Sequence, residues 1–161
     1  MTVLVAGVGN VFLSDDGFGV EVVRTLTGRL PDGVSLVDSG IRGMDLAYRL
    51  LDGYDVLVLV DATQRGGEPG TLYTLEHDLK APPSGAALDG HGMDPAAVLD
   101  LVAGLAASMD LGPPVGRVLV IGCEPAVLDE GIGLSPPVAA AVERAAMAVI
   151  ELVEELEGVR S

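Results

Sequence analysis

Short runs of aliphatic and β-branched residues alternate along this chain with longer segments in which apolar residues recur at helical spacing. The runs occupy residues 3–6, 34–37, 55–60 (DVLVLV) and 118–121, and a more alternating run at 70–75 is typical of an edge strand. Helical spacing covers 17–30, 44–51, 94–109 and 136–156. Short continuous apolar runs are typical of strands buried on both faces. The pattern therefore predicts an α/β fold, a three-layer α/β/α sandwich with a mostly parallel twisted sheet, with residues 1–161 as a single domain.

The negative charge of the chain limits the classes of partner that it can bind. Its 161 residues include 9 Lys+Arg and 24 Asp+Glu, which gives a formal charge of −15. This acidity disfavours nucleic acid and anionic membranes as partners, and no apolar run approaches the roughly 18 residues that span a bilayer. The first residues enter an apolar strand without a basic segment, so we expect a cytoplasmic protein. We also expect the protein to be monomeric when free. The single Cys123 excludes an internal disulfide and a multi-thiolate zinc site.

Acidic residues follow the predicted strands. Asp16, Asp38, Asp61 and Glu124 each come after a strand, often beside glycine. Ligands of open α/β sheets bind outside the carboxyl ends of the strands. Carboxylates that converge there raise each other's pKa unless a cation intervenes, and an added imidazole makes a mixed site for a divalent transition metal. His91 lies in a glycine-flanked loop before a predicted helix. It is better placed to supply this imidazole than His77, the other histidine of the chain.

The first loop also invites a dinucleotide interpretation, which its residues disfavour. Gly7-x-Gly9 is present, but Phe12 stands where the third glycine of that motif allows close packing of helix on strand. Asp15 and Asp16 then precede the helix, and their charges would repel a pyrophosphate at a helix N-terminus.

Several of these residues have structural interpretations. Asp15 is expected to cap the first helix, and Gly9 and Asn10 to shape the turn. Cys123 is expected to pack as a small apolar residue, and Glu124 to be a cap more often than a catalytic group. Asp38 is left with three alternatives: a cap, a contact to the backbone of a substrate, or a general base.

Four segments together resemble a known family. The run GVGNVFLSDDGFGV at residues 7–20 is similar to the signature of the nickel-dependent endopeptidases that mature [NiFe]-hydrogenase large subunits. Residues 38–46 (DSGIRGMDL) resemble the second motif of that family, and residues 60–62 (VDA) match its third. Residues 131–136 (GIGLSP) resemble its closing segment before the last helix.

The resemblance implies an activity and a set of metal-contacting residues. It implies an endopeptidase that removes the C-terminal peptide of a nickel-loaded large-subunit precursor, with nickel carried by that substrate and no organic cofactor. Asp16, Asp61 and His91 are the implied metal contacts, and with Asp38 they form the predicted catalytic set. The loop DGHGMD around His91 departs from the family pattern. Two alternatives stay open: a non-enzymatic, metal-dependent assembly checkpoint for the same precursor, and an α/β module for a small ligand or nucleotide.

Overall fold

Five strands form one sheet in the part of the chain that the computed structural model describes, residues 2–40, 49–77 and 115–158. The strands are β1 (Val3–Val8), β2 (Val34–Gly40), β3 (Tyr54–Ala62), β4 (Leu72–His77) and β5 (Val115–Cys123). A 3₁₀ turn at Ser14–Gly17 precedes helix α1 (Phe18–Leu26). Helix α2 (Pro136–Gly158) ends the described chain.

The strand order is β2-β1-β3-β5-β4, and the first four strands of that order run parallel. β4 pairs with β5 antiparallel at the edge, which confirms the edge strand predicted from its alternating pattern. The α/β fold with a mostly parallel sheet is thus confirmed. Because β1, β3 and β5 are parallel neighbours, their carboxyl-terminal ends lie side by side at one end of the sheet, which we call its carboxyl edge. The acidic residues were predicted to meet there.

Apolar side chains are buried on both faces of the sheet. On one face, β1, β3 and β5 pack against α1 and α2 around Phe18, which is fully buried. The opposite face has its own cluster, which includes Leu4, Leu57 and the fully buried Leu50. All six residues of β1 are buried, as the continuous apolar run predicts for a strand covered on both sides.

The long C-terminal helix is the element that the periodicity predicts best. The predicted segment 136–156 is confirmed as α2, Pro136–Gly158. Its buried residues follow one helical stripe: Val138, Ala141, Ala145, Ala146, Val149, Val153 and Leu156. Neither α1 nor α2 is both long enough and apolar enough to cross a bilayer, and this holds for every helix in the described ranges.

The structure differs from the prediction mainly at the ends of elements. The helix predicted over 17–30 begins with a 3₁₀ turn and ends at Leu26, because Gly28 takes a left-handed φ of 79° and the chain turns away. The strand predicted over 70–75 begins at Leu72 and extends through Glu76 and His77 as β4. The predicted helix 94–109 lies outside the described residues, as does most of 44–51, of which Arg49 and Leu50 are helical.

Candidate active site

The glycines of the first loop let α1 begin directly against the ends of two strands. A Cβ added to Gly7 would overlap the carbonyl oxygen of Gly19, and a Cβ added to Gly19 would overlap the carbonyl oxygen of Val60 at the end of β3. No side chain fits at such backbone contacts. The glycine pattern therefore reflects close packing of helix on sheet, and it fixes where the loop between β1 and α1 lies.

The backbone carbonyl of Asp16, in this loop, and the carboxylate of Asp61, near the end of β3, both lie next to Gly9. Gly9 has a φ of 139°, and a Cβ there would overlap the carbonyl oxygen of Asp16 and lie 3.7 Å from Oδ1 of Asp61. Asp16 Oδ2 accepts a 2.8 Å hydrogen bond from the backbone N–H of Asn10. Asp61 Oδ1 accepts a 2.8 Å hydrogen bond from the N–H of Ala62. Two of the predicted site residues are thus brought together, Asp61 buried and Asp16 half-buried.

The same turn confirms the structural interpretation of Gly9 and Asn10. The side-chain oxygen of Asn10 accepts a 2.9 Å hydrogen bond from the N–H of Phe12, which is an Asx turn. Together with the N–H of Asn10 on Asp16, this bond holds the loop in a shape that presents the carboxylate at the strand end. Phe12 itself is 58% exposed.

Asp38 lies at the same edge, on the other side of β1. In the sheet register, Gly7 of β1 pairs with Asp38 of β2 on one side and with Val60 of β3 on the other. Neighbouring strands lie about 4.8 Å apart, so the backbone of Asp38 is about 10 Å from that of Val60 across the sheet. Its side chain is exposed. It faces solvent at the edge that carries Asp16 and Asp61.

The fourth predicted residue, His91, lies outside the described residues. Within residues 2–40, 49–77 and 115–158, no three His, Cys, Asp or Glu side chains are close enough together to hold a metal ion. What these ranges contribute to the predicted site is therefore a pair of carboxylates, with their oxygen atoms as the donors.

Asp15 does not cap α1, and the expectation that it would is wrong. Neither the 3₁₀ turn nor α1 has a side-chain cap. The carboxylate is fully buried and turns instead to the segment between β5 and α2. Oδ2 accepts from the N–H groups of Ala126 and Val127 and from the hydroxyl of Ser135, each at 2.8 Å, and Oδ1 accepts from the N–H of Ser135 at 2.7 Å. Burial raises the pKa of Asp15, but these hydrogen bonds outweigh it and hold that pKa below its ordinary 3.8.

Backbone hydrogen bonds join the same two segments. Ser14 N–H donates to Gly131 O at 2.9 Å, Gly131 N–H donates to Phe12 O at 3.0 Å, and Leu13 pairs with Gly131 in a parallel bridge. Ser14, at a left-handed φ of 53°, donates its hydroxyl to Asp129 O at 2.8 Å. The first and last motifs of the sequence therefore form one unit next to the carboxylate pair. No local pattern in the sequence indicates this pairing.

Glu124, at the end of β5, is committed to holding a loop. Its Oε1 accepts hydrogen bonds from the N–H groups of Arg65 and Gly67, both at 2.9 Å, and from the hydroxyl of Tyr73 at 2.8 Å. Burial raises the pKa of Glu124, but these donors lower it more, so the pKa lies below its ordinary 4.5. Glu124 was expected to be a cap, but its carboxylate instead ties the β3–β4 loop to β4.

Cys123 is fully buried in the cluster between the sheet and the two helices, which confirms its interpretation as a packing residue. Burial raises the pKa of its thiol to about 11, and the nearby charge of Asp15 adds to the effect. The thiolate is the nucleophilic form of cysteine. Cys123 is therefore unsuited to nucleophilic chemistry near neutral pH.

Comparisons with known proteins agree with this architecture. Residues 20–152 match the family described as hydrogenase maturation protease. The hydrogenase 2 maturation protease of Escherichia coli is 34% identical over 158 residues, which are 96% of this chain and 92% of that protein. The hydrogenase expression/formation protein HupD of Rhodobacter capsulatus is 34% identical over 157 residues, which are 96% of this chain and 70% of that protein.

A solved structure gives the same answer for the fold and the family. The hydrogenase maturating endopeptidase HybD from E. coli superposes with a TM-score of 0.78 at 31% identity, covering 96% of this chain and 93% of that chain. The HycI protease from Thermococcus kodakarensis, at 24% identity and a TM-score of 0.71, shares the fold. With matches that span nearly its whole length, the chain belongs to the hydrogenase maturation protease family.

Proposed function

We propose that this protein is a nickel-dependent endopeptidase that removes a C-terminal peptide from a nickel-loaded [NiFe]-hydrogenase large-subunit precursor. The observation that carries the proposal is that two acidic residues, Asp16 and Asp61, both lie next to Gly9 where β1 and β3 end. Family membership supports the protease activity and its link to hydrogenase maturation. Nickel dependence, the cleaved terminus and the roles of single residues are part of the proposal.

The donor set suits a metal that the substrate brings with it. Carboxylate oxygens bind divalent metals, and two of them leave most coordination positions open for other ligands. A closed structural site takes about four protein ligands. We propose that the precursor supplies the remaining ligands and that Asp16 and Asp61 meet its nickel from the side of the protease. His91, in the segment outside the described residues, is proposed as the third contact on the strength of the family resemblance.

The reaction is the hydrolysis of one peptide bond. The oxygen of a water molecule bonds to the carbonyl carbon, the C–N bond breaks, and the released amine takes up a proton. A bound divalent metal supplies Lewis acidity, which favours attack on a carbonyl or ionisation of a water. Asp16 and Asp61 place the substrate against the strand ends. The exposed carboxylate of Asp38 is proposed to contact the same substrate and to serve as the general base.

The requirement for nickel links cleavage to metal insertion. If the carboxylates recognise the precursor through its metal, a precursor without nickel lacks the group that brings its scissile bond to this edge. The charge of −15 favours such a cationic encounter and disfavours self-association, in keeping with the monomer predicted from the sequence. A cytoplasmic location, where the precursor is assembled, completes the proposal.

The test is to incubate the protein with its cognate precursor and follow the precursor's intact mass. We expect the nickel-loaded precursor to lose a C-terminal peptide and the nickel-free precursor to keep its mass. An unchanged mass for the loaded precursor would overturn the proteolytic function. If the protein then still binds the loaded precursor, and Asp16→Asn abolishes that binding, the protein is the non-enzymatic checkpoint.

A further inference from the structure

Large apolar side chains are exposed where the first and last motifs join. Ile132 is 83% exposed and Phe12 58% exposed, and Val127 of the same joined loops is 40% exposed. Phe12 and Ile132 each lie one residue from the Leu13–Gly131 bridge. A single exposed apolar residue is ordinary, but a group of them on one frame marks an interaction site more often than chance.

A groove opens beside Ile132, which forms part of its wall. Its volume is about 560 Å³, and its walls include Val11, Ile132, Leu134, Ala139 and Val142. That size is within the range of sites that take small ligands or single anchoring side chains. Ser14 and Gly17, which flank Asp16 in the 3₁₀ turn, also line the groove. The groove therefore reaches the 3₁₀ turn that contains Asp16.

The frame that carries this surface is rigid. Phe12 and Ile132 belong to segments that three backbone hydrogen bonds and the four side-chain bonds of Asp15 join together. Side chains presented on a pre-ordered frame lose less conformational entropy on binding than side chains on a loose loop. Exposed apolar groups held in this way are typical of a docking surface.

Acidic residues surround the apolar centre. Asp129 and Glu130, both exposed, directly precede the Gly131–Ile132 segment. Glu21 and Arg24 both line the groove and form a 2.7 Å ion pair with each other, so the net negative charge of the rim comes from Asp129 and Glu130. An apolar centre with an acidic rim complements a segment that has apolar side chains beside basic ones. A second copy of this chain, with its own charge of −15, fits such a rim poorly.

We propose that this surface, formed by Phe12, Ile132 and the groove between the joined loops and α2, docks an apolar segment of the precursor flanked by basic residues. The proposal rests on the proposed function, since it names the part of the protease that recognises the precursor apart from its metal. Docking beside Asp16 would fix which bond of the precursor reaches the carboxylates. Recognition then has two parts, the metal at the strand ends and the apolar segment in the groove.

The test is a titration of the nickel-loaded precursor against the wild type and the double variant Phe12→Ser, Ile132→Ser. Both side chains are exposed, so the substitutions should leave the fold intact, and a thermal melt checks this. We expect the Kd and the KM to rise at least tenfold while kcat changes less than twofold, because apolar anchors dominate affinity. Ile132→Ala alone should give a smaller rise in the same direction.

The matched control is Met147→Ser. Met147 is 42% exposed on α2 and lies five residues beyond Val142, the last groove residue of that helix, which is about 7.5 Å along the helix axis. It should leave Kd and KM within twofold of the wild type. A second pair tests the rim: Glu130→Lys should weaken binding more at low salt than at high salt, and Glu155→Lys on the outer face of α2 should not.

Three outcomes would overturn the docking surface, and none depends on the cleavage assay. They are equal Kd values for the wild type and the double variant, no binding of the precursor by the wild type, and a wild-type dimer in sedimentation that the double variant abolishes. Failure of the proposed function reads differently. The precursor would then bind and keep its mass, and the difference in Kd between the wild type and the double variant would still judge the surface.

Discussion

The carboxyl edge of the sheet carries acids at two places that look alike in sequence and differ in structure. At the ends of β1 and β3, Asp16 accepts a hydrogen bond from the N–H of Asn10 in the same loop. Asp61 accepts one from the N–H of Ala62, the next residue along the chain. At the end of β5, Glu124 reaches donors more than fifty residues away, on Arg65, Gly67 and Tyr73. The first place holds the carboxylates that are proposed to meet the metal of the substrate, and the second uses its carboxylate to hold the protein together.

The difference lies in what surrounds each strand end. At the first place the backbone itself packs tightly: a Cβ at Gly9 would overlap the carbonyl oxygen of Asp16, and Oδ1 of Asp61 lies 3.7 Å from that position. Around Glu124 the backbone of the β3–β4 loop closes in, and a single carboxylate oxygen takes three donors. Glu124, whose oxygen is occupied by three donors from the β3–β4 loop and β4, is therefore a structural tie, whereas Asp16 and Asp61 are the proposed metal contacts.

The comparison predicts its largest effect at the first place. Asp16→Asn and Asp61→Asn should each lower kcat/KM for the nickel-loaded precursor by about 10²-fold or more, a loss typical of removing a group that acts on the reacting centre. Both changes are isosteric, and an amide oxygen can still accept from Asn10 or Ala62. The measurement is the initial rate of precursor cleavage, with thermal melts as a check on folding.

Glu124→Gln is the matched control for those two changes. It removes a charge from the same edge of the sheet, yet it should leave the rate of cleavage within about threefold where the variant is fully folded. Equal losses for all three variants would mean that net charge along this edge, and not the position of Asp16 and Asp61, determines activity.

Sequence patterns were sufficient for the elements whose burial is continuous or periodic. The run at 55–60 predicts β3 because a strand covered on both faces has no polar position to break it. The segment 136–156 predicts α2 because a single apolar stripe packs on the sheet. The glycines of the first loop predict a tight turn, and the structure shows which carbonyl oxygens require them.

The partners of the buried acids could not be predicted in this way. Asp15 bonds to residues 111 to 120 positions later in the chain, and nothing within a helical turn of Asp15 indicates them. An acid just before a helix is ordinarily a cap, so local reasoning assigned the commoner role and was wrong. Glu124 was correctly judged structural, but its three donors depend on a loop conformation that periodicity does not describe.

Asp15→Asn should give the largest loss of stability. The amide has one acceptor oxygen where the carboxylate has two, and its NH₂ group would face the N–H donors of Ala126, Val127 or Ser135. Leaving buried donors unpaired should lower the free energy of unfolding by about 2 to 3 kcal/mol. Urea denaturation at pH 7 measures it, with Asp129→Asn, an exposed neighbour, as the control that should change little. A stable Asp15→Asn variant would mean that the joined loops do not depend on this carboxylate.

The ionisation of Glu124 also makes the stability of the fold depend on pH. Because the pKa of Glu124 is lowered in the folded protein, its ionised form stabilises the fold. That contribution is fully present above the ordinary pKa of 4.5 and is lost as pH falls through the lower folded value. Glu124→Gln should therefore be less stable than the wild type by about 1 to 2 kcal/mol at pH 7, and the gap should narrow below pH 4.5.

Urea midpoints at several pH values between 7 and 3.5 measure that gap. Asp15 is present in both the wild type and Glu124→Gln. The difference between their curves of stability against pH therefore isolates the contribution of Glu124. Tyr73→Phe removes one donor and keeps the charge of Glu124. It should be less stable than the wild type by a smaller amount than Glu124→Gln. A gap that stays constant down to pH 3.5 would contradict a stabilising ionised Glu124.

The smallest effect is expected at Cys123, which precedes Glu124 at the end of β5. With a pKa of about 11, about one thiol in a thousand is ionised at pH 8, and the side chain is fully buried. Iodoacetamide should therefore label the folded protein far more slowly than the urea-unfolded protein, as followed by intact mass. Cys123→Ala should leave cleavage within twofold of the wild type and cost about 1 kcal/mol of stability through the small cavity it creates. Rapid labelling of the folded protein, or a large loss of cleavage in a stable Cys123→Ala variant, would place chemistry at the end of β5 and remove the distinction between the two strand ends.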